Sequence, residues 1–217
     1  MTAPRAKTRV AILISGRGSN MVSLIEAAKA ADYPAEIVLV LSNRAEAAGL
    51  AHARSLGIPA QAIDHKAFPD RATFDAVLDN ALRAAGVELV CLAGFMRIFS
   101  AGFVEAWAGR MINIHPSLLP LFKGTHTHRQ ALDAGVRLHG CTVHFVVPEL
   151  DAGPIVAQAA IPVRQDDDAD SLADRVIVQE RRLYPVVLAL VAGGRARLED
   201  GRVVIDAAAP DGVLFSL

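Results

Sequence analysis

Val10-Ala-Ile-Leu-Ile-Ser-Gly-Arg-Gly-Ser-Asn-Met-Val-Ser-Leu-Ile25 decides the fold class. Residues 10–14 are an unbroken apolar run, the length of a strand buried on both faces and too short for a helix. Gly16 and Gly18 then break the pattern, and an amphipathic helical period starts at Ser19. Strand, glycine turn and helix form the first unit of a sheet wound with crossover helices. The alternation continues. Apolar runs at 37–41, 89–93 and 111–114 predict further buried parallel strands, and the period between them predicts helices at 19–31, 45–56, 72–85 and 101–107. Gly57-Ile-Pro59 and Ala85-Gly86 supply helix stops. The prediction is a Rossmann-like, doubly wound α/β fold with a mostly parallel central sheet and right-handed crossovers.

After Pro120 the texture changes. Residues 121–127 read as a polar loop and 128–134 as a short helix ended by Gly135. Residues 140–147 and 154–163 read as strands around a turn at 148–153, an antiparallel C-terminal part. A long helix is expected over 170–190. Its acidic opening, Asp166-Asp-Asp168 with Asp170, reads as a solvated helix start favoured by the macrodipole rather than a metal site. Residues 196–205 read as a hairpin turning at Asp200-Gly201. The expected organisation is a single domain over 1–217, with an N-terminal half at about 9–110 and a C-terminal half at about 111–205.

The formal net charge of −1 supplies no global field to attract nucleic acid or an anionic membrane, so an anionic ligand needs a local site. No apolar run is long enough to span a bilayer, and residues 1–9 read as a frayed tail rather than a signal peptide. Cys91 and Cys141 lie in apolar, strand-like runs and are expected as buried reduced thiols in a cytoplasmic protein, against a disulfide or a reactive nucleophile. Of the histidines, His52, His65 and His139 are expected at the surface, while His144 and Thr142 share a strand face that borders a pocket.

Two segments carry chemistry. The turn Ser15-Gly16-Arg-Gly18-Ser-Asn20 lets the backbone approach a ligand and aims the first N–H groups of a helix at it, a cradle for a small phosphate. A dinucleotide fingerprint is the rival, but Met21 stands at its third glycine position and Ser42-Asn43-Arg44 offers no acidic residue for a ribose. The second segment is Asn113-Ile-His115-Pro116. Alternation on a strand points Asn113 and His115 the same way, about 7 Å apart, at a strand's carboxyl end. Asp151, in Leu150-Asp-Ala-Gly-Pro154, completes an Asn/His/Asp set suited to acyl-group chemistry. A structural histidine, or a metal site recruiting His126 and His128, are the competing readings of the same residues.

The run Asn113-Ile-His-Pro-Ser-Leu-Leu-Pro-Leu-Phe-Lys-Gly-Thr-His-Thr-His-Arg-Gln-Ala-Leu132 resembles the signature of the phosphoribosylglycinamide formyltransferase family. Ile14-Ser-Gly-Arg-Gly-Ser-Asn20, Leu92-Ala-Gly-Phe-Met-Arg-Ile98, Gly140-Cys-Thr-Val-His-Phe-Val146 and Leu150-Asp-Ala-Gly-Pro154 extend the likeness over residues 10–190. The resemblance implies the formyltransferase fold and a metal-free formyl transfer from 10-formyltetrahydrofolate, as co-substrate, to the amine of glycinamide ribonucleotide. The partners it implies are therefore small molecules, not nucleic acid or membrane, for a monomer or homodimer. It implies His115 as catalytic acid, Asn113 as donor to the formyl oxygen (and so also a folate contact), and Asp151 as the carboxylate coupled to His115. Gly18, Ser19 and Asn20 would hold the phosphate and Glu180 the ribose, although Glu180 by itself reads as a solvated helix acid. Met96, Arg97, Ile98 and Phe99 would bind the pterin through their main chain, and Arg71 the folate tail. Ile177 departs from the pattern, being apolar where a polar substrate contact is expected.

The residues agree on chemistry. Amine attack on a formamide-like carbonyl builds charge on oxygen, which Asn113 and a protonated His115 can meet. Leu92, Phe95, Met96, Ile98 and Phe99 are expected as a flat apolar slot or ordinary core, and residues 120–128 as a lid whose polar groups include His126 and His128. A formyltetrahydrofolate hydrolase is the alternative, expected to carry an extra N-terminal domain for which residues before Val10 leave no room. A tRNA-directed transferase is expected to carry a further basic C-terminal domain, where only residues 190–217 remain.

Overall fold

A computed structural model describes residues 6–206. The elements run β1 (Thr8–Ile14), α1 (Ser19–Ala28), β2 (Ala35–Ser42), α2 (Ala48–Ser55), β3 (Ala60–Ala62), α3 (Arg71–Ala84), β4 (Leu89–Leu92), α4 (Ala101–Ala106), β5 (Met111–His115), α5 (Thr127–Asp133), β6 (Leu138–Phe145), β7 (Ile155–Pro162), α6 (Ala169–Ala192), β8 (Ala196–Glu199) and β9 (Arg202–Ile205). Seven strands form one sheet in the order β3-β2-β1-β4-β5-β6-β7. The pairs among β3, β2, β1, β4 and β5 are parallel; β6 and β7 pair antiparallel. The strands β8 and β9 form a separate antiparallel pair. This is the doubly wound, mostly parallel sheet expected, with its antiparallel C-terminal part.

Alternation along β1 shows why the sheet must be covered twice. Val10, Ile12 and Ile14 pack with Met21 and Leu24 of α1, Leu50 of α2 and Leu188 of α6, while Ala11 and Leu13 pack with Phe74 and Leu78 of α3 and with Trp107. Burial of both faces at roughly 25 cal/mol per Å² of apolar surface is what drives this layering. β1 lies between β2 and β4, so the chain reverses its direction of winding there and opens a crevice at the strands' carboxyl ends.

Several boundaries differ from the expected ones. Thr8 and Arg9 already belong to β1; residues 1–5 of the expected tail lie outside the described residues. α1 ends at Ala28 rather than residue 31, closing in short turns before Pro34, which disfavours helical geometry at Tyr33. α2 starts at Ala48 rather than residue 45, because Gly49 N–H donates to Gly16 O (3.0 Å) and fixes the helix start against the glycine turn. β3, with only three residues, and a 3₁₀ turn at His65–Ala67 had no periodic signal to announce them. α6 extends to Ala192. Asp168 caps it within a capping box with Ser171, and Asp167 pairs with Arg175, so the acidic run is indeed a helix start.

α6 is tied across the sheet. The Tyr184 hydroxyl, fully buried, lies 3.0 Å from both Leu92 O and Ile112 O, at β4 and β5. Burial and the neighbouring Cys91 hold this phenol well above its ordinary pKa, so it stays a donor. Tyr184→Phe is expected to destabilise the fold by about 1–3 kcal/mol, the cost of a buried carbonyl left unpaired. Denaturant titration should show a lower midpoint with an unchanged slope.

Candidate active site

The glycine turn ends in Gly18, whose left-handed φ of 75° suits glycine, and Gly18 is the N-cap of α1. No side chain caps this helix, so its first N–H groups are aimed into the crevice without a capping oxygen. A Cβ on Gly18 would stand 3.0 Å from Met21 Cε and 3.3 Å from Gly49 Cα. A Cβ on Gly49 would meet Ile14 Cδ1 at 2.5 Å and Gly16 O at 3.0 Å. Gly49 is therefore as much a part of the turn as Gly18; the only sequence signal for it was an isolated glycine at a helix start.

Asn20 is buried, and its Nδ2 donates to Glu180 Oε2 (2.6 Å), while Asn20 Oδ1 has no protein partner. Glu180 is thus not the solvated helix acid that its sequence context suggests. It sits beneath the turn, and burial raises its carboxyl pKa against the opposing pull of Asn20. Ser19 is half-buried beside them, and Ile177 lies one turn before Glu180 on α6.

β5 and β6 bring the second cluster together. Asn113 pairs in register with His144, and His115 with Thr142. His144 Nδ1 lies 2.9 Å from Phe145 O, which assigns the proton to Nδ1 and leaves Nε2 to accept from Asn113 Nδ2 (3.1 Å). Burial lowers the His144 pKa, consistent with this neutral ring. His144 therefore fixes the amide of Asn113, and an amide nitrogen retains a second N–H for a ligand. The Thr142 hydroxyl donates to Ser117 O (2.7 Å) and accepts from Leu119 N–H (3.0 Å), holding the segment after Pro116.

Asp151 joins the cluster from the β6–β7 turn. Its Oδ2 lies 3.4 Å from His115 Nδ1 and accepts from Gly124 N–H (2.8 Å); its Oδ1 lies 3.9 Å from His144 Nε2. Asp151 has a left-handed φ of 47°, and a Cβ on Gly153 would fall 1.7 Å from Phe145 O. The turn can close only with glycine at 153. On its other side, His115 Nε2 donates to Phe122 O (2.9 Å). Acceptors thus flank both ring nitrogens, an arrangement that the doubly protonated imidazolium satisfies. The contributions of Phe122 and Gly124 come from main-chain atoms and had no sequence signal.

The remaining expected site residues divide. Arg71 opens α3 and is exposed at the same end of the sheet. Arg97 lies over the Phe74 ring (5.1 Å). The expected apolar slot splits in two. Phe95 and Phe99 stack on one another (5.2 Å) and join the core, whereas Met96 and Ile98 are 61% and 50% exposed. His126 caps α5 with a left-handed φ of 59°. Two expected surface histidines are not at the surface: His65 is half-buried against Asn43, and His139 is fully buried against His128 (3.1 Å). Both cysteines are buried, and burial raises each thiol to about 12. Among the described residues, no group of three or more His, Cys, Asp or Glu side chains is arranged to hold a metal ion. No helix among them is long and apolar enough to cross a membrane.

The formyl transferase family matches residues 8–188. This chain belongs to that family. Phosphoribosylglycinamide formyltransferase of Escherichia coli (strain K12) is 43% identical over 197 residues, covering 91% of this chain and 93% of that protein. Glycinamide ribonucleotide transformylase 1 from Symbiobacterium toebii is 44% identical with a TM-score of 0.89, covering 92% of this chain and 94% of that one. The trifunctional purine biosynthetic protein adenosine-3 of Bos taurus is 50% identical over 198 residues. The chain spans about a fifth of that protein's length, 20%.

The fully buried His139 meets half-buried His128 on one side and the Phe122 ring (6.0 Å) on another. Burial lowers the His139 pKa from 6.5 to about 4 and also lowers that of His128. The unfolded chain therefore takes up protons first as pH falls, and stability present above the ordinary histidine pKa is lost between about pH 6.5 and pH 4. Denaturant titrations at about pH 7.5 and about pH 5 should differ by about 2 kcal/mol from His139 alone. His139→Gln should shrink that difference.

Proposed function

We propose that this chain transfers the formyl group of 10-formyltetrahydrofolate to the primary amine of glycinamide ribonucleotide, a step of purine (IMP) biosynthesis. The observation that carries this function is the meeting of Asn113, His115 and Asp151 beside β5 and β6, toward the same carboxyl end of the parallel strands as the uncapped glycine turn. Family membership supports the same reaction class.

The substrate's phosphate sits on the main-chain N–H groups of Gly18, Ser19 and Asn20, where the helix dipole favours an anion. Glu180, held by Asn20, faces the ribose. The folate lies along residues 96–99, bound through the main chain of Met96, Arg97, Ile98 and Phe99, with Arg71 toward its anionic tail. The stacking of Phe95 and Phe99 into the core supports main-chain recognition, because it fixes the segment from behind. Residues 120–128 close over the reacting groups.

Attack of the amine on the formyl carbon forms a C–N bond and places negative charge on the formyl oxygen. The second N–H of Asn113 meets that charge, with a protonated His115 beside it. The amine's proton passes toward Asp151 and the His115 pair; collapse breaks the bond to the folate nitrogen, which takes a proton in turn. The products are formylated glycinamide ribonucleotide and tetrahydrofolate. The transfer is direct, with no covalent enzyme intermediate and no metal. The enzyme acts as a monomer or homodimer, and its buried free thiols suit a reducing cytoplasm.

Purified protein should release tetrahydrofolate only when glycinamide ribonucleotide is present, and activity should survive a chelator. Equal release without the acceptor would identify a formyltetrahydrofolate hydrolase instead. Asn113→Ala should lower kcat about 10²–10³-fold with small changes in either KM, since its donor matters most as charge develops. Gly18→Val should raise KM for glycinamide ribonucleotide and leave folate binding nearly intact, because a Cβ at this left-handed position crowds Met21 and Gly49 and displaces the turn.

A further inference from the structure

Ser15 stands at the carboxyl end of β1, one residue before the glycine turn, and is buried. Its hydroxyl does two things at once. It accepts from Met96 N–H (2.7 Å) and donates to Asn43 Oδ1 (2.5 Å). Its own N–H donates to Gly94 O (3.1 Å), carrying the β1–β4 ladder past the last residue of β4. Asn43, just beyond β2, is buried in turn and is backed by His65, whose Nδ1 lies 2.8 Å from Asn43 O. A single hydroxyl therefore links the chain beyond β1, β2 and β4 at the point where the sheet reverses its winding. The residue that it holds on the β4 side is Met96, the first of the segment along which the folate is placed. The residue that follows it on the β1 side begins the phosphate turn.

We infer that Ser15 is a positioning residue for the folate: its hydroxyl, set by Asn43, sets the main chain at Met96 and thereby locks the folate segment to the phosphate turn. This rests on the assignment of residues 96–99 to folate. Ser15 touches neither substrate in this arrangement, so its effect travels through the Met96 amide. Without the hydroxyl, Met96 N–H and Asn43 Oδ1 both lose a partner, and the segment keeps its core packing through Phe95 and Phe99 but loses the bond that fixes the Met96 amide.

The test compares wild type, Ser15→Ala, Asn43→Ala and the double variant. Ser15→Ala should raise KM for 10-formyltetrahydrofolate about tenfold. KM for glycinamide ribonucleotide should stay within about twofold, because the phosphate is held by N–H groups that this change leaves in place. Amide exchange at Met96 should accelerate while the amides of β1 stay protected. Asn43→Ala should act in the same direction more weakly, and the double variant should fall short of the product of the two single effects. Equal rises in both KM values, or faster exchange throughout β1, would reduce Ser15 to a structural residue and overturn the inference. If Ser15→Ala does not fold, Asn43→Ala carries the test alone: an unchanged folate KM and unchanged Met96 exchange would overturn it. A wild-type protein with no formyl transfer would overturn the proposed reaction instead. Faster Met96 exchange together with weaker tetrahydrofolate binding in a direct titration would then still support the role of Ser15.

Discussion

A carboxylate taken out of water must be met by donors or positive charge, and the Asp151 carboxylate, with its side chain almost wholly buried, imposes that requirement on its surroundings. The Gly124 N–H and the His115 ring meet it. They come from different parts of the chain: the 120–128 loop and the end of β5. The antiparallel return of β6 against β5 makes this possible, because it places His144 opposite Asn113 and ends in the tight turn that carries Asp151. Gly153 is the condition for that turn, since any larger residue would collide with Phe145 O.

Two histidines in one cluster are held differently because their partners differ. His144 gives its Nδ1 proton to a backbone carbonyl and accepts from Asn113, so its ring is neutral and serves to orient an amide. His115 faces an acceptor on both sides, a main-chain carbonyl and a carboxylate, and is suited to hold and release a proton. The two rings stand on neighbouring strands, each held by packing on both sheet faces.

The two ends of the crevice are joined by α6 and by Ser15. α6 passes Glu180 beneath the glycine turn and, one turn later, puts the Tyr184 hydroxyl against the carbonyls of β4 and β5. Pro185 follows at once inside the helix, and its carbonyl accepts from Tyr33 (2.6 Å). Buried polar contacts of this kind add modestly to stability, but each specifies a single alignment of helix on sheet. That alignment sets the separation of the glycine turn from the Asn113, His115 and Asp151 cluster.

The sequence by itself determined the sheet and its crossover helices, and it singled out Asn113, His115 and the glycine turn as candidates for chemistry. Unbroken apolar runs, glycine stops and strand alternation are local signals, and these residues act through their own strand or turn. It did not reveal β3, the burial of His139 and Glu180, or the division of the apolar slot into core-facing Phe95 and Phe99 and outward Met96 and Ile98. Burial of a polar side chain depends on which distant element packs on it: His128 for His139, Asn20 for Glu180. The parts played by the Phe122 carbonyl and the Gly124 N–H depended on tertiary structure alone. Every residue has a main-chain carbonyl and nearly every one an N–H, so nothing in the order of side chains marks the ones that folding brings against His115 and Asp151.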